Sequence, residues 1–100
     1  MAEVVWPEPA LNDLDAIADD IALDKPQAAR ELVQRVFEHV GQLEDFPKSG
    51  SRPRELRGSR YRQLVEPPLQ IFYRVEGQQV FVLHVMRSER RLRRTDLRRR

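Results

Sequence analysis

Residues 69–86 read Leu69-Gln70-Ile71-Phe72-Tyr73-Arg74-Val75-Glu76-Gly77-Gln78-Gln79-Val80-Phe81-Val82-Leu83-His84-Val85-Met86, and their reading decides the fold. The first half, Leu69 to Glu76, is rich in aromatic and β-branched residues, which fit a pleated, half-buried surface. Gly77-Gln78 then offers a two-residue hairpin turn, since glycine at the first central position takes the positive φ of a type II′ turn without steric cost. The second half, Val80 to Met86, is nearly all apolar, as expected of a central strand buried on both faces.

Upstream, Arg60 to Glu66 alternates well enough for a third strand, ended by Pro67-Pro68. Before it, the breaker-rich run Phe46-Pro47-Lys48-Ser49-Gly50-Ser51-Arg52-Pro53 is a loop. Further back the period changes from two to 3.6. Leu11, Leu14, Ile17, Ala18 and Ile21 form one helical stripe, entered through Pro9 in the first turn. Ala29, Leu32, Val33, Val36, Phe37, Val40 and Leu43 form a second and cleaner stripe, with Asp24 offered as N-cap, Pro26 in the first turn and Gln27 at the capping-box position. The break between the two stripes is short, so the helices form an antiparallel hairpin. Glu3-Val4-Val5-Trp6 reads as a short opening strand stopped by Pro7 and Pro9. The order β-α-α-β-β-β predicts an α+β domain, the helical hairpin lying on one face of a small antiparallel sheet.

One hundred residues, 40% hydrophobic and 34% charged, suit a single soluble domain over residues 1–100. No window approaches the roughly 20 apolar residues of a membrane span, and Met1 to Trp6 lacks the basic start of a signal peptide. Without cysteine there is neither a disulfide framework nor a thiolate metal site, which fits a reducing cytoplasm. No His, Asp and Glu residues stand at metal-ligand spacing, and no phosphate-cradling glycine loop is present, so neither metal nor cofactor is expected. The net charge of +2 conceals a polar molecule. Residues 1–45 hold 11 acids against 3 bases, whereas residues 87–100 hold 8 arginines against 2 acids. All but Lys25 and Lys48 of the 18 bases are arginines, whose fork suits phosphate or carboxylate. The tail from 88 to 100 has only Leu92 and Leu97 as apolar anchors, which predicts one or two helical turns and then fraying.

Several motifs carry a resemblance. They are Trp6…Ala10-x-x-Asp13-Leu14-x-x-Ile17-x-x-x-Ile21, then Pro26-x-Ala28-Ala29, then Leu43-x-x-x-Pro47-x-x-Gly50. Leu56-Arg57-Gly58-x-Arg60-Tyr61, Ile71-Phe72-Tyr73-Arg74-Val75 and Val80-Phe81-Val82-Leu83-His84-Val85 with its basic tail complete the set. In this order, over nearly the whole chain, they resemble the ParE branch of the RelE/ParE toxin superfamily. Pro7 stands where that pattern usually has a Ser or Thr cap, and Pro67-Pro68 interrupts the sheet where a shorter turn is common. The resemblance implies a bacterial type II toxin in the cytoplasm, neutralised by a cognate ParD-like antitoxin with a ribbon-helix-helix part. The ParE branch acts on DNA gyrase; the RelE branch cleaves messenger RNA on the ribosome.

Chemistry separates the branches. RNA cleavage needs a group that accepts a proton from the 2′-hydroxyl and one that assists the leaving oxygen, and arginine stays protonated throughout the physiological range. RelE-type chains carry a tyrosine close to the C-terminus, where this chain has Leu92, Arg93 and Arg94; related nucleases place a histidine just after the final strand, where it has Arg87. Tyr61, Tyr73, His84 and Glu89 remain as proton-transfer candidates. Tyr73 reads better as a core aromatic, Tyr61 as a sheet-face residue and His84 as a hydrogen-bonded, half-buried histidine. His39 reads as packing or helix surface, and Trp6 as core that pins the hairpin. No catalytic residue is assigned, and a gyrase inhibitor that acts by binding is expected. Arg87, Arg90, Arg91, Arg93 and Arg94 would form an arm for gyrase or the DNA held in it, while Arg57, Arg60, Arg62 and Arg74 would meet acidic residues of the antitoxin. The alternatives are a ribosome-dependent mRNA endonuclease and an inactive partner and co-repressor of the antitoxin.

Overall fold

The structure is a computed structural model and describes residues 1–56, 58–90 and 92–98, with the backbone alone for Arg94 and Arg98. In chain order it contains β1 (Glu3–Val5), α1 (Glu8–Ala22), α2 (Pro26–Gly41), β2 (Arg62–Glu66), β3 (Leu69–Glu76), β4 (Gln79–Arg87) and α3 (Arg94–Arg98), with single 3-10 turns at Gln42–Glu44 and Arg54–Leu56. The hairpin of residues 69–86 is present as read. Glu76 opposes Gln79, Gly77 has φ +57, and no described non-glycine residue has positive φ, which is the signature of a type II′ turn.

The sheet order is β1-β4-β3-β2, and three of the expectations change in detail. First, the sheet is mixed: β2, β3 and β4 are antiparallel neighbours, but β1 runs parallel to β4. Helix α1 continues in the direction of β1, with Asp13 and Asp20 beside Val85 and Arg87. Helix α2 returns the chain to the start of β1, where the Ala2 N–H meets the Glu44 carbonyl. β2 therefore starts in the direction of β1, and two hairpin reversals give β4 that direction again. Second, Pro67-Pro68 does not interrupt the sheet. Glu66 pairs directly with Leu69, so the two prolines are themselves the tight turn, joined by a cis peptide bond. Third, the Asp24 capping box does not form. Lys25 is the N-cap of α2 without a side-chain hydrogen bond, and the Gln27 amide lies 3.4 Å from Glu31 Oε1 instead.

Both faces of the β3–β4 hairpin are covered. On the helix side, Ala10 and Leu14 of α1 and Leu32, Val36 and Val40 of α2 meet Leu69, Ile71, Tyr73, Val80, Val82 and Val85. On the other side, Phe72, Leu83 and Met86 meet Leu56, Leu92 and Leu97. A bulge makes this division possible: Phe72 opposes His84 while Tyr73 opposes Val82, so Leu83 is the extra residue. The extra residue shifts the alternation, and Val80, Val82 and Val85 all reach the helix-side core. Trp6, read as core, is only half-buried and packs against the margin of this core; its ring stands 4.9 Å from that of Phe37 on α2.

The loop before β2 is held by a buried side-chain contact in addition to the backbone bridge between Ser51 and Gln63. Tyr73 is fully buried and its hydroxyl accepts the Gly50 N–H at 2.9 Å, so the hydroxyl ends inside the protein and not at a sheet edge. Arg62 donates from Nη1 to the carbonyls of Gly50 at 2.9 Å and Lys48 at 3.1 Å. Residue 50 must be glycine because a Cβ there would come within 2.5 Å of the Tyr73 hydroxyl and 2.6 Å of the Gln63 carbonyl oxygen, whereas one at Gly41 would meet nothing within 4 Å.

Gly50→Ala is expected to cost about 1–3 kcal/mol through overpacking, while Gly41→Ala at the end of α2 gains up to about 1 kcal/mol from helix propensity; urea unfolding of both variants measures the contrast. Burial pushes the Tyr73 phenol above its ordinary value of 10.0, an effect reduced by the Gly50 hydrogen bond and by the charge of Arg62. The neutral phenol therefore contributes its full stability below pH 10.0, and this is lost as the pH rises through the higher folded value. Tyr73→Phe is expected to flatten the alkaline limb of the stability–pH curve, measured by urea midpoints at successive pH values.

Candidate functional site

Two groups of arginines lie on the sheet and its C-terminal extension. The first follows β4. Arg87 ends that strand, and its Nη2 is 2.8 Å from Asp20 Oδ2 on α1, so it ties strand to helix. After it the Ser88 N–H is fixed to the Pro68 carbonyl at 2.8 Å and the Arg90 N–H to the Arg87 carbonyl at 3.1 Å. Arg90 and Arg93 are exposed. The tail is docked through its two anchors, since Leu92 and Leu97 are 5% and 3% exposed against Phe72, Leu83 and Met86. Burying each leucine contributes about 1.5–3 kcal/mol. The expected helical turn occurs as α3, which opens on half of a capping box: the Arg93 N–H donates to Asp96 Oδ2 at 2.9 Å. Arg91 lies outside the described residues, as do the side chain of Arg94 and the end of the tail beyond residue 98, where fraying was expected.

The second group lies around the β3–β4 turn. Arg74 Nη1 is 3.2 Å and Arg60 Nη1 3.4 Å from the same oxygen, Glu76 Oε1. The Arg74 guanidinium stacks over the Phe81 ring at 4.9 Å from its centre, a favourable cation–π geometry. Arg62, read with these residues, is turned instead to the loop carbonyls of Lys48 and Gly50. Arg57 lies outside the described residues.

The proton-transfer candidates are dispersed. Tyr73 is the buried loop latch. Tyr61 packs against the second core, and Glu89 is exposed in the turn after β4. His84 Nδ1 lies 3.0 Å from Asp13 Oδ2 on α1, which also accepts the Val85 N–H at 3.2 Å; His84 is thus the hydrogen-bonded, half-buried residue expected. No hydrogen bond among the described residues joins any two of these four. His39 likewise spans the layers, its Nδ1 3.1 Å from Glu66 Oε1 on β2, with Arg35 Nε 3.5 Å from Oε2. Partner acids 71 and 27 residues away leave no spacing signal in the sequence. Among the described residues no group of three or more His, Asp and Glu side chains could hold a metal ion, and no helix is long and apolar enough to cross a membrane.

Asp13→Ala would leave His84 and the Val85 N–H without this acceptor and is expected to cost about 2–3 kcal/mol. Asp20→Ala, which removes the exposed partner of Arg87, is expected to cost under about 1 kcal/mol; thermal unfolding ranks the two.

Comparison with known proteins agrees with this architecture. The family model described as "ParE toxin of type II toxin-antitoxin system, parDE" matches residues 4–92. Toxin RelE2 of Caulobacter vibrioides is 34% identical over 91 residues, covering 90% of this chain and 99% of its own. A chain from the structure titled "Chromosomal ParDE TA system from P. aeruginosa" superposes with a TM-score of 0.74 at 32% identity, over 89% of this chain and 98% of that one. The mixed sheet under a helical hairpin and the basic segment that closes its second face are therefore those of a ParE-family toxin of a type II toxin–antitoxin system, and the chain belongs to that family.

Proposed function

We propose that this toxin acts by binding DNA gyrase, without bond chemistry of its own, and that a cognate ParD-like ribbon-helix-helix antitoxin in the same cytoplasm neutralises it. The observation that carries the reading is the docked, arginine-rich tail. Leu92 and Leu97 hold the segment against the sheet, and Arg90 and Arg93 project from it into solvent. Guanidinium groups on an anchored segment bind an acidic protein surface, or phosphates of gyrase-held DNA, with less ordering cost than a free tail would incur. Arg87 belongs to the base of the arm, with its contact to Asp20 available for exchange. Arg91 and Arg94 extend it in sequence. The antitoxin is proposed to place acidic side chains on the second arginine group, with Arg60 and Arg74 as its exposed and half-buried members and Arg57 and Arg62 beside them in sequence.

One observation favours a second reading. With Asp13 holding Nδ1 of His84, a neutral ring carries its lone pair on Nε2, the arrangement a general base uses. A ribosome-dependent endonuclease would draw on that nitrogen.

The test is charge reversal at Arg90, Arg91 and Arg93 with two assays. Inhibition of gyrase supercoiling by the native toxin is expected to fall at least tenfold in the variant, and to weaken with rising salt in the native protein. Unchanged inhibition by the folded variant would remove the arm from the mechanism. Cleavage of ribosome-bound message by the native toxin, abolished by His84→Gln, would replace the first reading by the second. Silence in both assays would leave a partner and co-repressor of the antitoxin.

A further inference from the structure

Glu76 is placed unlike the other acids of the basic half. Residues 46–86 contain Glu55, Glu66 and Glu76 against seven bases. Glu66 faces α2 and is engaged by His39 and Arg35, and Glu55 is exposed in the turn before β2. Glu76 ends β3 on the sheet face away from the helices, beside Arg74 and Phe81, and a single oxygen of its carboxylate serves both Arg60 and Arg74. That grip is incomplete. Arg74 Nε is the one side-chain nitrogen or oxygen among the described residues that is buried without a hydrogen-bond partner, although a guanidinium can hold a carboxylate with two parallel N–H donors. Arg60, by contrast, has a largely exposed side chain (66%) and Glu76 a partly exposed one (40%). Such a contact is weak and open to exchange.

From this placement we infer that Glu76 is a resident stand-in, a carboxylate of the toxin's own that occupies the Arg60–Arg74 pair until an acidic side chain of the antitoxin displaces it. The inference rests on the toxin–antitoxin reading above and adds the site and the exchange. Charge complementarity selects the occupant: two guanidinium groups, one of them stacked over the half-buried Phe81 ring, accept an acidic peptide that presents a carboxylate next to apolar side chains. Displacement of Glu76 takes part of the binding free energy, so the apparent affinity is lower than that of a vacant pair would be. The stand-in also keeps the two arginines from repelling each other in the free toxin.

The experiment measures binding of the antitoxin encoded beside this chain, full length and purified, by titration calorimetry at low salt. Glu76→Gln keeps the shape and removes the charge. Glu31→Gln, on the exposed face of α2, corrects for the loss of one negative charge anywhere on the molecule, and thermal melts confirm that each variant is folded. Glu76→Gln is expected to tighten binding about two- to fivefold beyond the Glu31→Gln control, in line with a weak, partly exposed ion pair. The gain is expected to vanish in an Arg60→Gln background, and Arg74→Lys, which keeps charge and stem but not the fork, is expected to loosen the complex. Equal affinities of Glu76→Gln and the control, or weaker binding by Glu76→Gln, would overturn the stand-in while leaving the toxin–antitoxin reading intact. Failure of the native toxin to bind the antitoxin at all would overturn both.

Discussion

The β3–β4 hairpin is apolar on both faces, and a chain of 100 residues has to cover each of them. A helical hairpin can shield only one. The other is closed by parts that look unpromising in isolation: one 3-10 turn contributing Leu56 and a strongly basic tail contributing Leu92 and Leu97. This requirement explains why the described part of so arginine-rich a segment is docked on the sheet and not free. Two leucines anchor the segment, and Arg90 and Arg93 are held exposed beside them. The charge of these two arginines is thus part of the folded domain, and the same burial that completes the core holds them in place.

Charge is distributed by a similar economy. The acidic helices and the basic sheet are joined by contacts between unlike groups, Asp13 with His84, Asp20 with Arg87, and Glu66 with Arg35 and His39. Each spans the two layers, so the helix–sheet interface is apolar at its centre and ionic at its margins. Arg35 and Arg87, which have found such partners, tie the layers together. Those beyond the margins, Arg90 and Arg93, are exposed, and Arg60 and Arg74 share a single acid, Glu76. Position relative to the layer boundary, and not the count of guanidinium groups, separates the arginines that tie the layers together from those that do not.

Much of this was legible. Helix and strand periodicities placed α1, α2, β3 and β4 closely, because a buried face imposes a repeat of 3.6 or 2 on the residues that form it. The II′ turn was legible because glycine at its first central position meets a stereochemical need that other residues meet poorly. The Asp24 cap was misread: its side chain was eligible, but the chain enters α2 through Lys25, and a local pattern does not say which eligible residue the backbone will use. Pro67-Pro68 was misread as a gap for a related reason. Prolines stop a strand, yet they also form the tightest turn between two strands, and only the register of Glu66 against Leu69 distinguishes these outcomes. For the site, the arginines were visible as a composition, while distant acidic partners were not, since nothing in linear spacing links Asp20 to Arg87.

By itself, then, the amino-acid sequence determined the main helices and strands, their order, the face on which the helical hairpin lies and the polarity of charge from one end to the other, because these depend on local stereochemistry and on the burial of apolar repeats. Tertiary structure alone decided the parallel placement of β1, the bulge at Leu83, the burial of the Tyr73 hydroxyl against Gly50 and the sorting of arginines into those that hold the fold and those that face outward. Each of these depends on contacts between residues far apart in the chain, and such contacts exist only once the layers have packed.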